Sequence, residues 1–188
     1  MESATLLEHY RGPRTANELS KINSCTKSVL SALISIAIDK NIVPHPDTPI
    51  LEFFPQLVQD SDTRKRQITI THLLTMTAGF QWNEFGGLNS FPTMTRTTDW
   101  VKFVLAQPLA ESPGTVMAYN SGGSQLLAAI LSQAFGQSVA EFAEQQLFRY
   151  LGIERYRWDK DPQGIHTGGF GLYLKPWDMA KLGLLYPA

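Results

Sequence analysis

Apolar positions recur with helical spacing in several stretches of the chain, and these set the first expectations. From Asn23 or Ser24, each able to cap a helix, the positions Val29, Leu30, Leu33, Ile34, Ile36, Ala37 and Ile38 run to Asp39-Lys40-Asn41. That run is apolar nearly all round, which predicts a helix inside the protein rather than on its surface. Leu126, Leu127, Ile130 and Leu131 share one face of a helix expected from about Gly123 to Phe135, with Gly136 ending it. Thr98 or Asp99 caps a helix through Trp100, Val101, Phe103 and Val104. Ser138-Val139-Ala140-Glu141 has the spacing of a capping box that opens a further helix to Tyr150.

Between these elements the pattern is shorter in range. Thr5 to Tyr10 reads as a short strand closed by Arg11-Gly12-Pro13, and Ile68 to Thr71 leads into a short helix at His72-Leu73-Leu74 stopped by Gly79. Gln59 to Gln67 carries Asp60, Asp62, Arg64, Lys65 and Arg66, the composition of a solvated connection. The stretch from Gly86-Gly87 to Thr98 reads as a long surface loop, whose neighbouring aromatics Trp82, Phe85 and Phe91 either line a site or pack. A turn at Glu111 to Thr115 precedes extended Val116 to Tyr119. Gly168 to Leu174 reads as a glycine-rich extended segment, with Pro176 opening a last helix.

Composition narrows the class. With 188 residues, 43% hydrophobic and 18% charged, the chain matches one globular domain, residues 1–188, or part of one. The net charge of -1 is spread without blocks, which argues against a nucleic-acid partner or an anionic membrane and leaves a small-molecule or peptide substrate. Cys25 is the only cysteine, so there is no internal disulfide and no thiolate metal site. His9, His45, His72 and His166 are scattered without a metal-ligand spacing, and no metal or other cofactor is expected. The longest apolar run, Val29 to Ile38, is too short to cross a bilayer, and no signal-peptide pattern is visible. The compartment stays open between cytoplasm and cell envelope, as does the oligomeric state.

Chemistry enters at Ser24-Cys25-Thr26-Lys27. A hydroxyl and an amine three residues apart lie almost one helical turn apart, so the amine can reach the hydroxyl. That is the minimal device for a serine nucleophile activated by lysine. Cys25 lies about a hundred degrees round the helix from Ser24 and reads as packing.

Four segments in order extend this pair. Asn23-Ser24-Cys25-Thr26-Lys27-Ser28 followed by an apolar helix resembles the active-site helix of the serine β-lactamase and penicillin-binding-protein family, in particular its class C β-lactamase and esterase branch. Ile70 to Gly79 is similar to the branch's T-x-x-H-L-L-T-H-T-S-G segment, and Tyr119-Asn120-Ser121-Gly122-Gly123 resembles its Tyr-x-Asn motif. Gly168-Gly169-Phe170-Gly171-Leu172 with Pro176-Trp177-Asp178-Met179-Ala180-Lys181 resembles its G-G-x-G-L-x-x-T-P-x-D-M-A-K segment.

The resemblance implies an α+β fold, an antiparallel sheet flanked by helices with a mostly helical region. It also implies a serine hydrolase in which Ser24 forms an acyl-enzyme with an ester or amide while Lys27 and Tyr119 share its proton. Two departures accompany it. Ser121 stands where the family has Asn, so the hydrogen bonds of that amide fall to Ser121 or to Asn120. The third motif, Lys-Thr-Gly or His-x-Gly on a sheet edge, normally follows the segment that ends this chain. His166-Thr167-Gly168 imitates it and is the candidate for holding a substrate carboxylate, but the chain otherwise reads as a fragment of the domain. A degenerate member that binds a peptide or a partner protein is the competing expectation.

Overall fold

The computed structural model describes residues 7–12, 14–85 and 90–186. In chain order its elements are β1 (Ser20–Lys21), α1 (Cys25–Asp39), α2 (Ile70–Leu74), α3 (Ser90–Thr95), α4 (Trp100–Leu105), α5 (Ser121–Phe135), α6 (Val139–Gln146), β2 (Arg157–Trp158), β3 (Leu172–Leu174) and α7 (Pro176–Gly183). The strands form one antiparallel sheet in the order β1-β3-β2, with Lys21 and Arg157 both opposite Tyr173.

The helical layer is built around α5, which packs against α1, α2, α3, α4 and α6. Every residue from Ser121 to Leu131 is buried, the polar Ser124 and Gln125 included. Asn120 caps its start by accepting the Gly123 N–H at 2.9 Å, and Gly136 ends it in the left-handed conformation at φ 74°. The predicted one-faced helix is therefore buried all round as far as Leu131, and it begins two residues earlier than expected. The converse holds for α1. Val29, Leu30, Leu33, Ile34 and Ala37 are buried, whereas Ser28 and Ser35 on the opposite side are exposed. With α5 occupying the centre, α1 can offer only one face to the core.

Local signals near the caps hold. Asp99 caps α4 through the Lys102 N–H at 2.8 Å, and Ser138 and Glu141 close a capping box on α6. That helix stops at Gln146, and a separate 3-10 turn spans Phe148–Leu151, where one helix to Tyr150 was the expectation. Short 3-10 turns also cover Thr63–Gln67, within the expected solvated connection. Lys65 there is only 3% exposed because its ammonium meets Asp60 at 2.7 Å and the Leu105 carbonyl at 2.8 Å. Val116 to Tyr119 forms no strand, and only Leu172–Leu174 of the glycine-rich segment pairs into the sheet. Thr5 and Leu6 of the expected first strand lie outside the described residues, and Leu7 to Tyr10 are not in a strand. Gly86 and Gly87 also lie outside them, while Ser90–Thr95 of the expected loop is helical and buries Met94.

The segment before β3 is locked onto α5. The Gly168 N–H donates to Gln125 Oε1 at 2.9 Å, and Gln125 Nε2 donates to Asp161 Oδ2 at 3.0 Å. A Cβ at Gly168 would overlap the Ser124 carbonyl, so only glycine permits this approach. His166, 5% exposed, lies beside Trp158, with ring centroids 5.8 Å apart and Nδ1 without a hydrogen-bond partner. Burial, reinforced by Lys160, depresses its protonation from 6.5 to about 4.

Two outcomes follow for stability. Ile130→Ala, at 0% exposure in the middle of α5, is expected to cost about 2–5 kcal/mol in denaturant unfolding, whereas Ser35→Ala on the exposed side of α1 changes it by less than about 0.5 kcal/mol. Between about 6.5 and about 4 the unfolded imidazole binds a proton that folded His166 refuses, so stability falls as the pH drops through that window. Comparing unfolding at pH 7 and pH 5 should show a smaller loss in His166→Gln than in the wild type.

Candidate active site

Ser24 stands immediately before the first residue of α1 and is exposed. Its hydroxyl caps nothing, and its own N–H has no hydrogen-bond partner among the described residues. The turn that presents it is under backbone strain, because Asn23 adopts φ 48°, a region that non-glycine residues seldom visit. Thr26 holds that turn in place. Fully buried, it donates from Oγ1 to the Asn23 carbonyl at 2.7 Å and accepts the Leu172 N–H at 3.3 Å. The Ile22 N–H donates to the Leu172 carbonyl at 2.9 Å. The start of α1 is thereby stitched to the start of β3.

One turn further on, Lys27 reaches across to α5. Its Nζ donates to Ser121 Oγ at 2.9 Å and to the Gly169 carbonyl at 2.8 Å. It also lies 4.7 Å from the centre of the Tyr119 ring, within cation–π range. A Cβ at Gly169 would stand 3.1 Å from that nitrogen, so the missing side chain leaves the room that the amine occupies. Three distant stretches of sequence thus converge on one amine: the start of α1, the Tyr119-Asn120-Ser121 corner, and the segment before β3.

Glu84 joins them from the loop after Phe80. Its Oε1 accepts from Ser121 Oγ at 2.5 Å, and its Oε2 accepts from the Ser121 N–H at 3.0 Å and from Trp82 Nε1 at 2.6 Å. Phe85 beside it stacks on Tyr119, with centroids 5.9 Å apart. Reasoning from the sequence missed both Glu84 and the Gly169 carbonyl. Glu84 lies 37 positions from Ser121 and in no recognisable spacing, and a backbone carbonyl leaves no mark in a sequence at all.

The other expected site residues fall elsewhere. Asn120 is 7% exposed and its Oδ1 is committed to the cap of α5, so the bond to Lys27 comes from Ser121. His166 and Thr167 are 5% and 1% exposed, and Gly168 is pressed against α5. Thr167 Oγ1 donates to the Phe170 carbonyl, and the Thr167 carbonyl accepts from Trp158 Nε1 at 2.9 Å. The triplet packs beneath the site, where it cannot present a cation to a substrate carboxylate. Cys25, expected as packing, is exposed and edges an apolar groove between α1 and α7 formed by Val29, Ala32, Met179 and Leu182. Among the described residues no group of three or more His, Cys, Asp or Glu side chains could hold a metal ion. No single helix there is long and apolar enough to cross a membrane.

Known proteins resemble the chain in sequence and in fold. AmpH of Escherichia coli K12, a D-alanyl-D-alanine-carboxypeptidase/endopeptidase, is 27% identical over 182 residues, covering 86% of this chain and 47% of AmpH. The chain therefore spans about half the length of the curated relatives it matches. Among solved structures, a Bacillus anthracis protein described as a 6-aminohexanoate-dimer hydrolase aligns with a TM-score of 0.79 at 20% identity, covering 95% of this chain and 50% of that one. The D-alanine carboxypeptidase AmpC of Burkholderia cenocepacia gives 0.65 at 19% identity, covering 90% and 50%. Those two likenesses establish the β-lactamase/transpeptidase-like fold. The family model described as Beta-lactamase matches residues 3–185, and the chain belongs to that family.

Proposed function

We propose that this site is that of a serine hydrolase, in which Ser24 attacks the carbonyl of an ester or amide. The observation that carries the reading is the placing of Lys27, held at 2.9 Å by Ser121 and at 2.8 Å by the Gly169 carbonyl, one turn from an uncommitted serine hydroxyl. The Ser24 Oγ forms a bond to the carbonyl carbon, and its proton passes to the Lys27 and Tyr119 pair. The alcohol or amine leaves with a proton from Tyr119, and water resolves the acyl-enzyme. The developing oxyanion faces the unpartnered Ser24 N–H at the start of α1, where the helix dipole favours negative charge. The carbonyl belongs to a small ester, a cell-wall peptide or a β-lactam. The peptide draws support from the likeness to AmpH.

Incubation with an alkyl fluorophosphonate followed by mass spectrometry should give one adduct, on Ser24, and Ser24→Ala should take none while keeping its thermal midpoint. Lys27→Met should slow labelling by about 10² to 10⁴. A folded wild-type chain that takes no adduct contradicts the proposal. Ester turnover that survives Ser24→Ala does so as well, because it then does not run through Ser24, and a folded chain with neither adduct nor turnover is a member that only binds a peptide or a partner.

A further inference from the structure

Ser121 has one proton, and its direction decides what Lys27 can do. A hydroxyl donates once and accepts through two lone pairs, whereas an ionised carboxylate only accepts. Ser121 Oγ lies 2.9 Å from Lys27 Nζ and 2.5 Å from Glu84 Oε1, so the proton must lie on the Glu84 side. Ser121 then turns a lone pair to Lys27. The Gly169 carbonyl, the amine's other partner at 2.8 Å, can only accept. To take a proton from Ser24 the amine must first be neutral, and a neutral amine carries two N–H bonds and one lone pair. Both N–H bonds are used by these two acceptors, and the lone pair stays open for the proton of Ser24. With the Ser121 hydroxyl reversed, its proton would occupy that lone pair.

We propose that Glu84 is a positioning residue that fixes the Ser121 hydroxyl as an acceptor toward Lys27 and so keeps the amine's lone pair free for Ser24. The proposal rests on the serine-hydrolase reading of the site. Glu84 touches no reacting atom in this scheme and works only through Ser121. Its second oxygen is fixed by the Ser121 N–H at 3.0 Å and Trp82 Nε1 at 2.6 Å, two donors that only an oxygen can satisfy.

That constraint makes Glu84→Gln a sharp probe. The single amide oxygen must stay with the two N–H donors, so the NH₂ group faces Ser121 Oγ and donates to it. The Ser121 proton is then turned toward Lys27. Volume and most of the hydrogen bonding are retained, and unchanged thermal midpoints would confirm that the fold is too. The reaction read is phosphonylation by the alkyl fluorophosphonate: the Ser24 Oγ–P bond forms, the P–F bond breaks, fluoride leaves and the serine proton passes to Lys27.

Rates of adduct formation are measured across pH for the wild-type chain, Glu84→Gln, Ser121→Ala and the double variant. Glu84→Gln should label roughly tenfold more slowly or worse. The double variant should be no slower than Ser121→Ala alone, because without the hydroxyl there is nothing left to reverse. Losses that multiply in the double variant, or a Glu84→Gln rate equal to that of the wild type, overturn the inference while leaving the serine-hydrolase reading intact. A wild-type chain that takes no adduct removes that reading and the inference with it.

Discussion

Burial of α5 from Ser121 to Leu131 is the constraint on which the site depends. A helix surrounded by α1, α2, α3, α4 and α6 cannot rotate or slide without opening voids or overlapping side chains, and interiors packed at crystal density resist both. Its first turn is therefore a fixed platform. Ser121 faces Lys27 and Glu84, while Ser124 and Gln125, one turn on, receive the Gly168 backbone. Gln125 and Asn120, whose polar side chains would be costly inside a core, are tolerated here because both have partners: Gln125 serves Gly168 and Asp161, and Asn120 serves the helix start.

The second determinant is what meets that platform. The start of α1 is held by Thr26 and Leu172, so Ser24 and Lys27 are positioned by the strand segment as much as by their own helix. This leaves Ser24 at an exposed, strained turn and Lys27 at a partly buried junction. The difference matters chemically. An exposed hydroxyl is open to an approaching molecule, whereas a lysine between two acceptors and an aromatic face is held in one orientation.

Helix existence was legible in the sequence wherever caps and periodicity agreed, as at Asp99, Ser138 and Gly136, because those signals are local. Which helix lies at the centre was not. The run from Val29 to Ile38 is more evenly apolar than Ser121 to Phe135, yet α5 is the buried one, since centrality is set by how many neighbours pack around a helix. The Ser24-x-x-Lys27 pair and Ser121 could be found from motifs. Glu84 and the Gly169 carbonyl could not, because the contacts that recruit them are tertiary. His166-Thr167-Gly168 misled for the same reason: its residue types suit a substrate-binding edge, but the fold buries them against Trp158 and α5.

The central claim is that α5 organises the site by clamping the segment before β3. Native-state amide hydrogen exchange tests it directly, because the Gly168 N–H is bonded to the Gln125 side chain rather than to any backbone ladder. The amides of Leu126 to Leu131 and that of Gly168 should exchange only through global unfolding, with the free energy read from denaturant unfolding of the same chain. Exchange of Gly168 at the rate of an exposed loop amide such as that of Val116, while α5 remains protected, would contradict the account.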